Sequence, residues 1–424
     1  LSRLGIMVMG LTDAIVVGHY SAEQLGFHAM AWAPTSIFVT VTVGLLVGAQ
    51  VMGSRAMGAG KPHEVGAVLR RGVVYSLWLG LAGSVLLVLA GPLLLHHVGI
   101  DKALADGSTA PLIVFSLSMI PYAVSVALSF WLEGLGRPGL VTVNMWVANL
   151  VNLAVNLLLV PGTFGLPALG AVGAAWATFV ARVVFTLMLA VVIVRLKDAR
   201  AMGVFDKAPH DPAAAKEQRR VGYGAGTSNL FEVSAFAAMS LIAGWLGGLN
   251  VAAWAVVLNV AAVIFMVPLG LSTATAVQVG RAFGARDSAG MSRAGWIAFG
   301  VTAVFALVVA VLLLPLRHLV GGAYTSDPAA LALIAPALAL TCLFLVPDAV
   351  QVVCAQALRA RGEVWIPAVT HMISYALIMG PLAWWLAIPM KLGVDGIVWS
   401  VIVTSFVAAA FLLGRYRMLD VKGR

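Results

Sequence analysis

Apolar stretches long enough to cross a bilayer as helices follow one another along almost the whole chain, separated by short polar or Gly/Pro-bearing joints. They fall at roughly 1–20, 29–53, 73–95, 110–132, 138–160, 171–194, 222–246, 250–280, 294–316, 329–358, 364–390 and 394–414. The pattern predicts twelve transmembrane helices and an all-α membrane protein. In hydrocarbon a spanning backbone satisfies its own polar groups as a helix or a closed barrel, and runs of this length select the helix.

The pattern also repeats. GLLVGAQVMGSRAMGA, from Gly44 to Ala59, lies on GLSTATAVQVGRAFGA, from Gly270 to Ala285, at a shift of 226. The same shift lays Pro121–Val126 on Pro347–Val352 and Gly136 on Gly362, and a shift of 223 lays Leu169–Trp176 on Leu392–Trp399. The chain therefore reads as two homologous six-helix bundles, 1–195 and 222–424, which share an orientation because six is even. The charged stretch 196–221, with Pro209 and Pro212, reads as a cytoplasmic linker over the surface. The Gly-rich repeat suits close helix packing; it lacks the Gly-Lys-Ser/Thr ending and strand context of a phosphate loop.

Composition agrees with the pattern: 61% of residues are hydrophobic and 10% charged, with mean hydropathy +1.00. A net charge of +9 raises the question of a nucleic-acid partner. Placement answers it, because the joints on one side of the twelve spans hold 22 of the Lys and Arg residues and those on the other only Lys102, Arg317 and Lys391. That bias places both termini in the cytoplasm and gives the charge a topological meaning. Cys342 and Cys354, twelve residues apart in one helix, are too far apart to bridge each other. The chain opens at Leu1, already apolar, and reads as clipped rather than as carrying a signal peptide.

Against this background, carboxylates inside the spans stand out, since a charge at that depth costs about 3 kcal/mol on insertion scales and needs a polar cavity. There are three: Asp13, Glu232 and Asp348. Asp348 follows Pro347, whose missing N–H strands the carbonyl of Leu343 one turn back. Phe344, Asp348 and Gln351 share a helix face, so carboxylate, amide, carbonyl and ring together suit a small cation. Glu232 and Asp348 sit at similar depth, about 15 Å from the cytoplasmic helix ends at ~1.5 Å per residue. The repeat partners of Asp13 and Asp348 are Met239 and Tyr122, so the scaffold is duplicated and these charges are not. Asn149, Asn152 and Asn156 share a face of the fifth helix and Asn259 lies in the eighth; they serve either the cavity or interhelical hydrogen bonding. Arg182 and His371 are candidate counter-ions, which would make the acids structural pairs. His96-His97 lacks helical metal-site spacing.

With these residues in view the chain resembles the multidrug and toxic compound extrusion (MATE) family, in its NorM-like branch, over essentially its whole length. The resemblance rests on Thr12-Asp-Ala-Ile-Val-Val-Gly18 with Ser21-Ala22, Phe231-Glu-Val233, Leu258-Asn-Val260 with Phe265-Met-Val-Pro268, and Asp348-Ala-Val-Gln-Val-Val353. It implies a V-shaped twelve-helix fold in the bacterial inner membrane and export of cationic aromatic compounds by a monomer. Asp13, Glu232 and Asp348 would bind Na⁺ or H⁺, with no other cofactor, and Asn152 and Asn156 would neighbour Asp13. Phe344 stands where sodium-coupled relatives carry a Tyr, a departure that keeps a ring and removes a hydroxyl. Two other classes compete. A lipid-linked glycan flippase of the same superfamily should line its cavity with Arg and Lys for a pyrophosphate, whereas three acids face Arg182 alone. An intramembrane enzyme needs a catalytic constellation, and neither His-Glu-x-x-His nor Gly-x-Ser-x-Gly occurs.

Overall fold

The computed structural model describes residues 2–97, 101–207 and 211–423. Pro209 and Arg424, on which the linker and charge expectations partly rest, lie outside the described residues, as does the side chain of Arg3. Helices account for nearly everything described: α1 (Ser2–Tyr20), α2 (Ala22–Gly58), α3 (Val65–His97), α4 (Lys102–Leu117), α5 (Met119–Gly134), α6 (Pro138–Leu159) and α7 (Gly170–Val194) precede α8 (Pro212–Trp245). After it come α9 (Gly248–Gly284), α10 (Ser288–Tyr324), α11 (Pro328–Ala360), α12 (Trp365–His371), a π-helical segment (Met372–Met379), α13 (Gly380–Ala387) and α14 (Gly393–Val421). Counting α4 with α5, and α12 with the π segment and α13, these fill the twelve expected spans. Ten of the twelve pass on length and apolarity. The others are short α1 and α8, whose opening turns are charged from Lys216 to Arg220.

Element ends carry the repeat. A shift of 226 takes both ends of α2 onto those of α9, and the start of α4 and end of α5 onto the ends of α11. The caps repeat too: Asp101 accepts from Ala103 N–H at 2.7 Å and Asp327 from Ala329 N–H at 3.0 Å. Gly136 and Gly362 both take positive φ, 76° and 93°, at the turns that end α5 and α11, a conformation that glycine adopts without steric cost. Two departures stand out. The α4–α5 span bends by 40° at Ser118 where α11 runs on, and the π turn interrupts the span that matches uninterrupted α6.

Two compact units result, Leu1–Gly226 and Thr227–Arg424. In the first, Trp131, Leu132, Phe185 and Leu189 anchor one buried cluster and Ala31, Leu112 and Phe115 another. The second is built around α11, packed by α9, α10 and α14. The unit boundary falls within α8, past residue 221, because the first turns of that helix pack on α2 and α3 of the first unit; Asp211 caps it, accepting from Ala214 N–H at 2.9 Å.

The stretch after α7 is not strung over the surface as expected. Ala199 and Met202 are buried, Gly66 N–H donates to Met202 O at 2.8 Å, and Arg70 donates to Gly203 O and Val204 O at 2.7 and 3.0 Å. Arg137 grips Asp198 with both guanidinium nitrogens. It holds that carboxyl below the ordinary carboxylate range, so this contact contributes at ordinary pH and is lost as pH falls through the lowered value.

Glycine is required where α2 crosses the start of α8. A Cβ on Gly48 would lie 2.0 Å from Gln218 O, one on Gly222 2.0 Å from Leu45 O, and one on Gly44 2.6 Å from Gly226 Cα. The matching Gly270 of the second copy meets nothing within 4 Å, so that position makes no such approach. We expect Gly48→Val to lower unfolding stability by about 1–3 kcal/mol or more through overpacking against backbone, and Gly270→Ala to change it little. Thermal unfolding in detergent checks both.

Candidate functional site

Each unit holds carboxylates among its helices, and the surroundings differ. In the first, Asp13 on α1 is 3% exposed and faces α6 and α7. Asn152 and Asn156 donate from Nδ2 to its Oδ1 at 3.0 and 2.7 Å, and the Thr178 hydroxyl donates to Oδ2. The i, i+4 spacing on α6 aims both amides at one oxygen. Their own Oδ1 atoms are buried and, among the described residues, have no hydrogen-bond partner. Asn149, on the same face, donates to Gly5 O at 2.9 Å and ties α6 to α1 instead.

Asp13 lies on the wall of a cavity of about 310 Å³ with Trp32, Tyr122, Phe130, Met145, Arg182 and Glu133. Arg182 donates to Ser118 Oγ at 2.6 Å and stands 4.6 Å over the Tyr122 ring. That cation is held by a hydroxyl and a ring face and lies within electrostatic range of Asp13. Glu133 is an acid that the apolar pattern missed. It follows the span expected to end at 132 by one residue, yet it is buried in the last turn of α5 and accepts from Gln50 Nε2 at 3.3 Å. Carrying that helix on to the turn glycine Gly136 would have found it.

In the second unit Asp348 and Glu232 are half-buried, and Glu232 lies within electrostatic range of Asp348 and Arg359. Gln351 Nε2 donates to Asp348 Oδ1 at 2.8 Å and to the Tyr375 hydroxyl at 2.7 Å. Ser405 of α14 stands beside Asp348. Arg359 donates to Ser228 Oγ at 2.7 Å and Gln356 Oε1 at 2.9 Å. Phe344 is buried in the apolar cluster that also holds Tyr375, and it carries no hydroxyl. The ring hydroxyl comes instead from Tyr375 on the π segment, where the wider turn repositions the inward side chains. Sequence spacing does not signal a π turn, so the linear pattern does not bring Tyr375 to this site.

Of the other expected members, Leu343, named for its carbonyl, turns its side chain outward, 49% exposed. Asn259 is exposed and its amide folds back on Ala255 O at 2.9 Å. His371 is buried edge-on to Tyr375, ring centroids 5.4 Å apart, and its nitrogens have no hydrogen-bond partner among the described residues. It makes no ion pair with the acids.

A family model described as MatE matches residues 1–158 and 225–385, which take in Asp13, Asn152, Asn156, Glu232, Asp348 and Tyr375. The chain belongs to the MatE family. A probable multidrug resistance protein NorM from Caulobacter vibrioides is 67% identical over 424 residues, covering 100% of this chain and 90% of the relative. Among solved structures, a MATE in the bent conformation superposes with TM-score 0.90 at 20% identity, covering 100% of this chain and 94% of that one. A MOP-superfamily transporter from Pyrococcus furiosus, described by the reverse polarity of its binding pocket, does so with TM-score 0.89 at 20% identity, with the same coverage. At that identity the likeness speaks for the fold. This MatE chain is a multi-pass membrane transporter, not an enzyme.

Gln351 is the bridge of the second cluster. Gln351→Leu removes the amide shared by Asp348 and Tyr375 and should lower stability by about 1–3 kcal/mol, the cost of polar groups left unpaired. Gln351→Glu, which cannot donate when ionised, should cost more at neutral pH than at pH 4. Thermal unfolding at both pH values reads the difference.

Proposed function

We propose that this protein expels amphipathic organic cations across the bacterial inner membrane, as a monomer with both termini cytoplasmic, in exchange for Na⁺ or H⁺. The observation that carries the reading is Asp13 in the wall of the first unit's cavity. Its 310 Å³ lies in the range of small-molecule sites, and Trp32, Tyr122, Phe130 and Met145 offer the π faces and thioether that an aromatic cation prefers. A carboxylate there attracts either the drug cation or the coupling ion, and occupancy by one weakens the other. The name of the 67% identical relative, a multidrug resistance protein, supports the substrate class.

In the second unit Glu232 and Asp348 form the other coupling centre, where hard-cation ligation would draw on carboxylate, hydroxyl and amide oxygens. Tyr375 supplies the hydroxyl that Phe344 lacks, which keeps Na⁺ in contention beside H⁺. A tenfold ion gradient supplies about 1.4 kcal/mol and 100 mV adds about 2.3 per net charge moved. One-for-one exchange of monocations moves no net charge, so strong accumulation calls for a second ion. The flippase reading asks Arg182 to serve a pyrophosphate, and that guanidinium is engaged by Ser118 and Tyr122 while Asp13 and Glu133 give the cavity an acidic balance.

The test is ethidium efflux from proteoliposomes under an imposed Na⁺ gradient or an imposed pH gradient. Wild type should respond to one of the two, and Asp13→Asn, Glu232→Gln and Asp348→Asn should each lose tenfold or more of the driven rate (about 1.4 kcal/mol). Undiminished driven efflux in all three would reject the roles assigned to them.

A further inference from the structure

On the side of the membrane where the arginines gather, α3 and the opening turns of α8 enclose a groove of about 470 Å³ inside the first unit. Arg71 and Tyr75 of α3 and Arg219 of α8 line it, and Tyr223 of α8 stands behind the Tyr75 ring. Arg71 is followed one turn deeper by Tyr75, and Arg219 one turn deeper by Tyr223. The two tyrosine rings meet edge to face with centroids 6.5 Å apart. Arg71 Nε donates to Gln218 Oε1 at 3.2 Å, which fixes its guanidinium before any ligand arrives. Arg70 adds a third positive charge at the rim. The acid at the rim, Asp211, has Oδ1 committed to the N-terminal amide of α8, so a surplus of positive charge remains.

Deeper in, the groove changes character. Val74 and Trp78 line it and are 55% and 68% exposed, and Leu77 and Leu81 continue the exposed apolar surface along α3. The order arginine, tyrosine, tryptophan, aliphatic matches that of a bilayer from headgroup to chain. We propose that this groove binds one anionic phospholipid, its phosphodiester between Arg71 and Arg219 and an acyl chain along Val74 and Trp78. The apolar floor selects a lipid over free phosphate, and the paired arginines select an anionic headgroup over a zwitterionic one. The lipid would clasp α3 to the opening turns of α8.

The experiment is thermal unfolding of the full chain in neutral detergent, titrated with phosphatidylglycerol, phosphatidylcholine or inorganic phosphate. Phosphatidylglycerol should raise Tm at concentrations where the other two do not. Arg219→Ala, which leaves the Arg71–Gln218 bond intact, should shift the titration midpoint about fivefold, and Arg71→Ala/Arg219→Ala roughly 25-fold. Arg293→Ala, at an exposed position on α10, should leave the midpoint in place. An equal response to phosphatidylcholine, a response to phosphate alone, an unmoved Arg219→Ala midpoint, or an equal shift in Arg293→Ala would each overturn the proposal.

Discussion

A carboxylate carried into hydrocarbon must be met by donors or counter-charge, and this chain meets that requirement in more than one way. Asp13 is surrounded by two amides and a hydroxyl drawn from α6 and α7. Glu232 has Arg359 within range, and Asp348 leans on Gln351 and through it on Tyr375. The helices that supply these partners can face the acids only if the surrounding packing is close, and glycine and alanine accordingly make up most of the buried face of α7. The polar sites and the small-residue packing are two aspects of one constraint.

Duplication supplied the frame and divergence supplied the chemistry. Element ends and N-caps still align between the two units. The residues that matter for charge do not: Glu133 occupies the position that Arg359 holds in the second copy, and Tyr122 that of Asp348. In the first unit Arg182 rests on that tyrosine's ring. In the second the equivalent place is a carboxylate bridged by Gln351 to a tyrosine hydroxyl from a π turn. Equivalent backbone thus carries opposite electrostatics, which suits two units that handle charge differently.

Hydropathy and the internal repeat made the helices and the three acids legible, because the cost of a charge in lipid leaves few ways to place one. What stayed hidden depended on geometry that a linear pattern does not contain. Glu133 sat one residue beyond an apolar window. Tyr375 owes its place to a π turn, and Asn259, of the same residue type as Asn152, is exposed because its face of α9 is turned outward. The stretch after α7 looked like a tether because it is polar, whereas backbone hydrogen bonds and the Arg137–Asp198 pair dock it.

The central claim is that a buried acid is shared between coupling ion and organic cation. The most direct measurement is the Kd of tetraphenylphosphonium for the purified protein as Na⁺ and pH are varied, with Asp13→Asn alongside. The account predicts that Kd rises with Na⁺ or with acidification, by the factor through which the drug in turn weakens binding of that ion, and that the dependence fades in the variant. A Kd indifferent to both ions in the wild-type protein would contradict it.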